Sequence, residues 1–283
     1  MIYYLLLGCL PFINCCQSIS QKQYNLKSKE PNALLFSAVT SCIALCFFLI
    51  TSGLRLSFDL RLLPYALGYG LGYAAGWVGT VLAVGCGSIA LSTMIISCSI
   101  IFPTLYGVLM GESASPSILL GLVMLFSAIV MVNLRRGGKE KFSVRWFAWV
   151  MVAFFGNGLC SIMQNMQKRL LGDGFKHEFM ILALLTATAL LLGFALAKNR
   201  RIGAQFKECL PYSAANGTAN AVINLILLTL IGNIPNTVLY PSISALNMLF
   251  AFLLAFFIYK ERFAPLQYIG YVVGAASVVL LNL

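Results

Sequence analysis

Ten apolar runs follow one another through the chain with only short polar connections between them, at about residues 2–20, 33–52, 64–84, 88–110, 117–134, 146–167, 179–197, 211–231, 237–259 and 266–283. Each is near the roughly 20 residues that a helix needs to cross a bilayer. No interval is long or polar enough for a soluble domain, and 60% of the residues are hydrophobic against 10% charged, far from the composition of a soluble globular protein. The fold class that follows is an all-α integral membrane protein. The net charge of +11 does not point to nucleic acid, because the Lys and Arg residues collect in the connections between runs, as they do in cytoplasmic loops. The first run has no basic leader, and Pro11, Asn14 and Gln17 interrupt it, so it reads as the first span rather than a signal peptide.

The basic stretch RRGGKEKFSVR at 135–145 divides the ten spans five and five, giving a first unit at 1–134, a connection at 135–145 and a second unit at 146–283. Pro64-Tyr65 recurs as Pro211-Tyr212, an offset of 147 that also pairs Gln17 with Gln164, Leu45 with Leu192, Phe47 with Phe194 and Leu49 with Leu196. Beyond the eighth span the offset becomes 149, matching Glu112, Pro116, Gly121 and Asn133 to Glu261, Pro265, Gly270 and Asn282. An odd number of spans in each half makes the second insert upside down relative to the first. The expected architecture is therefore ten transmembrane helices as two inverted five-helix repeats, with a binding site near mid-membrane where the repeats meet.

Two helices in this scheme carry matched stripes. Tyr65, Tyr69, Tyr73 and Trp77 recur every four positions with Gly68, Gly72 and Gly76 beside them, and the repeat mates of Tyr69, Tyr73 and Trp77 are Asn216, Asn220 and Asn224. Other neutral polar residues at helical spacing are Asn14, Gln17 and Gln21 in the first span and Asn157, Ser161, Gln164 and Lys168 in the sixth. The fourth span adds Ser92, Thr93 and Ser97, and the ninth adds Tyr240, Ser242, Ser244 and Asn247. Asn, Gln, Ser and Thr also serve as ordinary glue between membrane helices, and that reading competes with a binding role for each of them. The glycine row reads as a helix-contact seam of the small-xxx-small kind.

No Asp, Glu, Lys, Arg or His lies in the middle of any span. Proton-coupled carriers need an intramembrane ionisable group, and hydrolytic chemistry needs a base or an activated nucleophile, so neither is expected. An enzyme is not predicted, and no catalytic residue is assigned. The nine cysteines include no Cys-x-x-Cys pair and the one histidine, His177, lies in a loop, so no metal or other cofactor is expected.

The end of the chain, FIYKERFAPLQYIGYVVGAASVVLLNL, resembles EamA-type members of the drug/metabolite transporter superfamily, through Glu261, Gln267, Gly270 and Gly274 and, in the first half, Gly111, Glu112, Pro116 and Gly121. The resemblance implies a ten-helix carrier of small solutes in a plasma membrane. It departs at the first span, where Asn14 and Gln17 stand in the region in which small multidrug relatives carry a proton-coupling carboxylate. Family members are usually drawn with cytoplasmic termini, whereas the connections after odd-numbered spans hold 14 Lys and Arg and those after even-numbered spans 5. The positive-inside rule therefore puts both termini outside.

The expected site is a central cavity with an aromatic wall of Tyr69, Tyr73 and Trp77 and an amide wall of Asn216, Asn220 and Asn224, completed by Gln17, Gln164, Ser92, Ser97, Tyr240 and Ser244. Such a lining suits a small neutral or zwitterionic solute moved by alternating access, with the lipid bilayer as the other partner. The rival is a non-transporting membrane module, for instance a lipid flippase subunit or an assembly partner, in which the amide rows only join helices.

Overall fold

The computed structural model describes residues 2–53, 56–57, 59–86, 92, 95–112, 115–133, 143–198, 202–257 and 264–281. Among these the chain forms ten α-helices and no strand: α1 (Ile2–Lys27), α2 (Ala33–Thr51), α3 (Leu63–Cys86), α4 (Ile101–Leu109), α5 (Pro116–Asn133), α6 (Val144–Leu171), α7 (Lys176–Lys198), α8 (Ile202–Leu230), α9 (Asn236–Phe257) and α10 (Pro265–Leu281). Five of them, α1, α2, α6, α7 and α8, are long and apolar enough to cross a membrane. Gly87, Thr93, Leu134, Lys260, Glu261, Arg262 and Asn282, together with residues 135–142 of the basic connection, lie outside the described residues.

Local chemistry sets several helix ends. The Asn32 side chain accepts from the Leu35 backbone N–H at 3.1 Å and so caps α2, satisfying one of the free donors of a first turn. At the end of α6, Gly172 takes φ +70 while its N–H donates to Lys168 O at 3.0 Å, a left-handed stop that glycine adopts without a Cβ penalty. A 3-10 turn, Cys98–Ile100, leads into α4.

The glycine row of α3 packs along α6. A Cβ at Gly68 would stand 2.7 Å from Met163 Sδ, one at Gly72 3.2 Å from Cys160 N, one at Gly76 2.7 Å from Asn157 Oδ1, and one at Gly79 2.6 Å from Ala153 N. The partners descend as the glycines ascend, so the two helices run antiparallel at a separation that only missing side chains permit. Around this pair, α1 packs on α8, α2 on both α7 and α8, α3 on α7, and α5 on α10.

Exposure repeats between the halves. Leu62, just before α3, and Ala66, Tyr69, Gly70, Gly72, Ala74 and Ala83 within it are buried, and at an offset of 147 so are Cys209, Ser213, Asn216, Gly217, Ala219, Ala221 and Leu230 in α8. In α5 and α10 the offset is 149, and the contact is reciprocal: a Cβ at Gly121 would meet Leu281 at 2.9 Å, and one at Gly270 would meet Val132, the position equivalent to Leu281, at 2.9 Å.

In the second helices exposure fits two registers. Buried Phe36, Thr40, Ser41, Ala44 and Phe48 correspond to buried Phe179, Ala183, Leu184, Ala187 and Leu191 at an offset of 143, while at 147 Phe36, Thr40, Ala44 and Phe48 meet Ala183, Ala187, Leu191 and Ala195, also buried; helix contacts select the first. The contacts agree: Gly70 lies against Ala183 O and Thr186, and its mate Gly217 against Thr40 O and Ile43, each carbonyl 2.7 Å from the position of a Cβ. The 147 register for Leu45, Phe47 and Leu49 is thus displaced by four residues, close to one helical turn. A shift of that size leaves an apolar stripe on nearly the same face, so leucine matches could not detect it.

Candidate functional site

The asparagine row of α8 is a bridge between helices. At one end Asn216 Nδ2 donates to Gln17 O of α1 at 3.0 Å, and Gln17 Nε2 reaches back to Asn216 O and Oδ1 at 3.3 and 3.4 Å. At the other end, two turns and about 12 Å along, Asn224 Oδ1 accepts from Gln164 Nε2 of α6 at 2.9 Å and from the Tyr69 hydroxyl of α3 at 3.0 Å. Between them, Asn220 receives Asn224 Nδ2 on both its backbone oxygen, at 2.9 Å, and its Oδ1, at 3.1 Å. Each half of the chain therefore sends one glutamine, Gln17 or its mate Gln164, to the same row.

The aromatic row faces these amides. Tyr69 and Tyr73 stack with centroids 6.1 Å apart and planes at 23°, and Phe179 of α7 meets Tyr69 edge-on at 5.7 Å. Because α6 runs antiparallel to α3 and parallel to α8, with Gln164 at Asn224 and Lys168 beside Gly232, α3 and α8 run antiparallel. Tyr69 meets Asn224, and from that contact Tyr73 and Trp77 follow at one-turn steps along α3 while Asn220 and Asn216 precede Asn224 at one-turn steps along α8. The two helices are not one of the closely packed pairs, and the Tyr69–Asn224 side-chain bond joins them. The Tyr73 hydroxyl is buried beside the Trp77 side chain and has no hydrogen-bond partner among the described residues.

A second polar cluster adjoins the first. Asn165, next to Gln164 on α6, donates to the Tyr240 hydroxyl of α9 at 2.7 Å and to Ser161 O at 2.8 Å. Sequence spacing missed Asn165, which lies off the Asn157–Ser161–Gln164 stripe and faces inward because α9 comes within reach there. Asn14 similarly meets Asn247 across α1 and α9 at 3.1 Å.

Two of the expected residues lie elsewhere. Ser92 is buried, but its oxygen accepts from Trp146 Nε1 at 2.8 Å. Trp146 begins α6, 18 residues before Gln164, which is about 27 Å along the axis. Ser97 is exposed. Spacing placed both serines on a helix face but could not say which way it turned. Ser244 is half-buried on α9, one turn beyond Tyr240.

Two cavities flank the bundle. One of about 440 Å³ is bordered by Glu30, Asn32, Leu34, Val81 and Gln205, and one of about 340 Å³ by Arg61, Pro64, Tyr65, Leu170 and Leu171. They lie toward opposite ends of α3, and none of the expected site residues lines either. Among the described residues no three His, Cys, Asp or Glu side chains cluster as a metal ion would require.

At the end of the bundle nearer Tyr65, Glu112 holds the start of α9. Its Oε1 accepts from Asn236 Nδ2 at 2.9 Å and its Oε2 from the Thr237 backbone N–H at 3.0 Å, a carboxylate on a helix N-terminus. Glu112→Ala is expected to cost about 2 kcal/mol, the scale of a charge-assisted bond. A thermal unfolding midpoint equal to that of the parent protein would contradict it.

No family model matches the chain, and no curated protein matches it. A solved protein crystal structure superposes on it with a TM-score of 0.74 over 98% of both chains at 14% identity. At that identity the likeness is one of fold.

Proposed function

We propose that the chain is a secondary transporter: ten spans arranged as two inverted five-helix repeats of the EamA type, moving a small neutral or zwitterionic solute by alternating access. The observation that carries this reading is the pair of rows on α3 and α8. They are related by the same 147-residue offset as the helices themselves, they face one another without close backbone packing, and one hydrogen bond, Tyr69 to Asn224, joins them. Helices that merely associate bring small residues and backbones together, as α3 and α6 do. Reciprocal packing of Gly121 and Gly270 supports the repeat. The 14 to 5 distribution of Lys and Arg supports a plasma-membrane orientation with both termini outside.

The test is flux in proteoliposomes with a solute selected by thermal shift. Asn220→Leu and Trp77→Ala are expected to abolish transport while leaving expression and monodispersity intact, and unchanged transport by both would end the assignment. The second reading, a non-transporting membrane module, draws on the way Gln17 bonds Asn216 and Gln164 bonds Asn224, which is what helix glue does. It predicts that the same substitutions lower stability and that no solute binds between α3 and α8.

A further inference from the structure

The hydrogen-bond polarity of the α8 row can be read from a fixed starting point. A backbone carbonyl only accepts, so the Asn224 side-chain atom 2.9 Å from Asn220 O is its NH2. That orientation turns Asn224 Oδ1 toward Tyr69 and Gln164, whose hydroxyl and amide must both donate to it. The same NH2 lies 3.1 Å from the Asn220 side chain, which therefore presents its oxygen to Asn224 and directs its own NH2 away. Asn220 Nδ2 has no protein acceptor among the described residues, and Asn220 is only half-buried. Tyr73 lies one turn along α3 from the Tyr69 that bonds Asn224, is 8% exposed, and its hydroxyl has no hydrogen-bond partner among the described residues. The group beside that hydroxyl, the Trp77 indole, can only donate, so it offers the Tyr73 proton no acceptor.

We propose that Asn220 Nδ2 and the Tyr73 hydroxyl form a two-donor seat for one carbonyl oxygen of an uncharged solute, with the Tyr69 and Tyr73 rings beside its flat portion. The inference rests on reading the space between α3 and α8 as the solute site, and it narrows the substrate class to molecules bearing an amide-, lactam- or ketone-type acceptor. No ionised side chain hydrogen-bonds to this network among the described residues, so a carboxylate would enter without a counter-charge. An amine would meet donors with donors.

Three probes of one shape separate these cases: benzamide, benzoate and benzylamine, titrated by calorimetry onto the full chain in nanodiscs. Benzamide is expected to bind saturably and at least about tenfold more tightly than the other two, the factor that about 1.4 kcal/mol represents. Tyr73→Phe is expected to weaken benzamide severalfold. Asn220→Asp replaces the donor by an acceptor and is expected to lose benzamide and gain benzylamine, a gain that misfolding cannot produce. No benzamide binding to the parent protein, equal binding of benzylamine, or unaltered selectivity in Asn220→Asp would each overturn the proposal. Correct selectivity without flux in proteoliposomes would instead overturn transport while leaving the two-donor seat in place.

Discussion

A Gly156→Ala variant is expected to lose most of its folded yield. A Cβ at this position would stand 2.6 Å from Gly76 N and 2.7 Å from Gly72 O, and both are backbone atoms that move only if α3 moves. Overpacking typically costs about 1–3 kcal/mol where side chains can yield, so a rigid site belongs at or above the top of that range. Such a loss is a large fraction of the stability of an ordinary domain. Gly193→Ala is the matched control, because nothing lies within 4 Å of a Cβ there. Size-exclusion profiles and thermal midpoints in one detergent check the pair, and a Gly156→Ala protein as abundant and stable as Gly193→Ala would refute the close approach.

Asn224→Leu is expected to be the most damaging substitution in the asparagine row. It strands the Tyr69 hydroxyl and Gln164 Nε2, on residues only 4% and 3% exposed, and two buried donors without an acceptor cost about 2–6 kcal/mol together. Transmembrane hydrogen bonds average nearer 0.6 kcal/mol in double-mutant cycles, so the lower end, about 2 kcal/mol, is the better figure. Asn216→Leu should cost less, because its partner Gln17 is only half-buried and the bonds it makes are longer. Thermal melts of the two variants decide between them, and equal midpoints would mean that the row is not graded from one end to the other.

How much of this could be read from sequence varied with the kind of signal. The helical elements were legible because twenty-residue apolar runs admit few other structures in hydrocarbon. The runs at 33–52 and 146–167 fall on α2 and α6, although α1, α6 and α8 extend several residues past their apolar stretches into polar ones such as Gln21–Lys27 and Ile202–Leu210. The glycine row was legible because small residues at every fourth position leave a groove whatever fills it, and α6 fills it. Register was legible only where distinctive residues repeat. Pro-Tyr fixed α3 against α8, whereas leucines in α2 and α7 matched equally well four residues out of place.

The site was legible as two rows but not as a network. That Tyr69 reaches Asn224 rather than Asn216, and that Asn165 rather than Ser161 meets Tyr240, depends on helix rotation and direction. The outward turn of Ser97 depends on rotation too. Periodicity within one helix contains neither quantity.

The Glu112 contact has a mechanical consequence. One side chain ties the turn after α4 to the first turn of α9, so those two helix ends can separate only if a carboxylate gives up a backbone amide to water. Any excursion that widens that rim carries a fixed toll independent of the cargo, and the opposite rim has its own clasp, in which Ser28 donates to Glu208 at 2.8 Å and Gln205 bonds Asn32 at 3.1 Å and Glu30 at 3.4 Å.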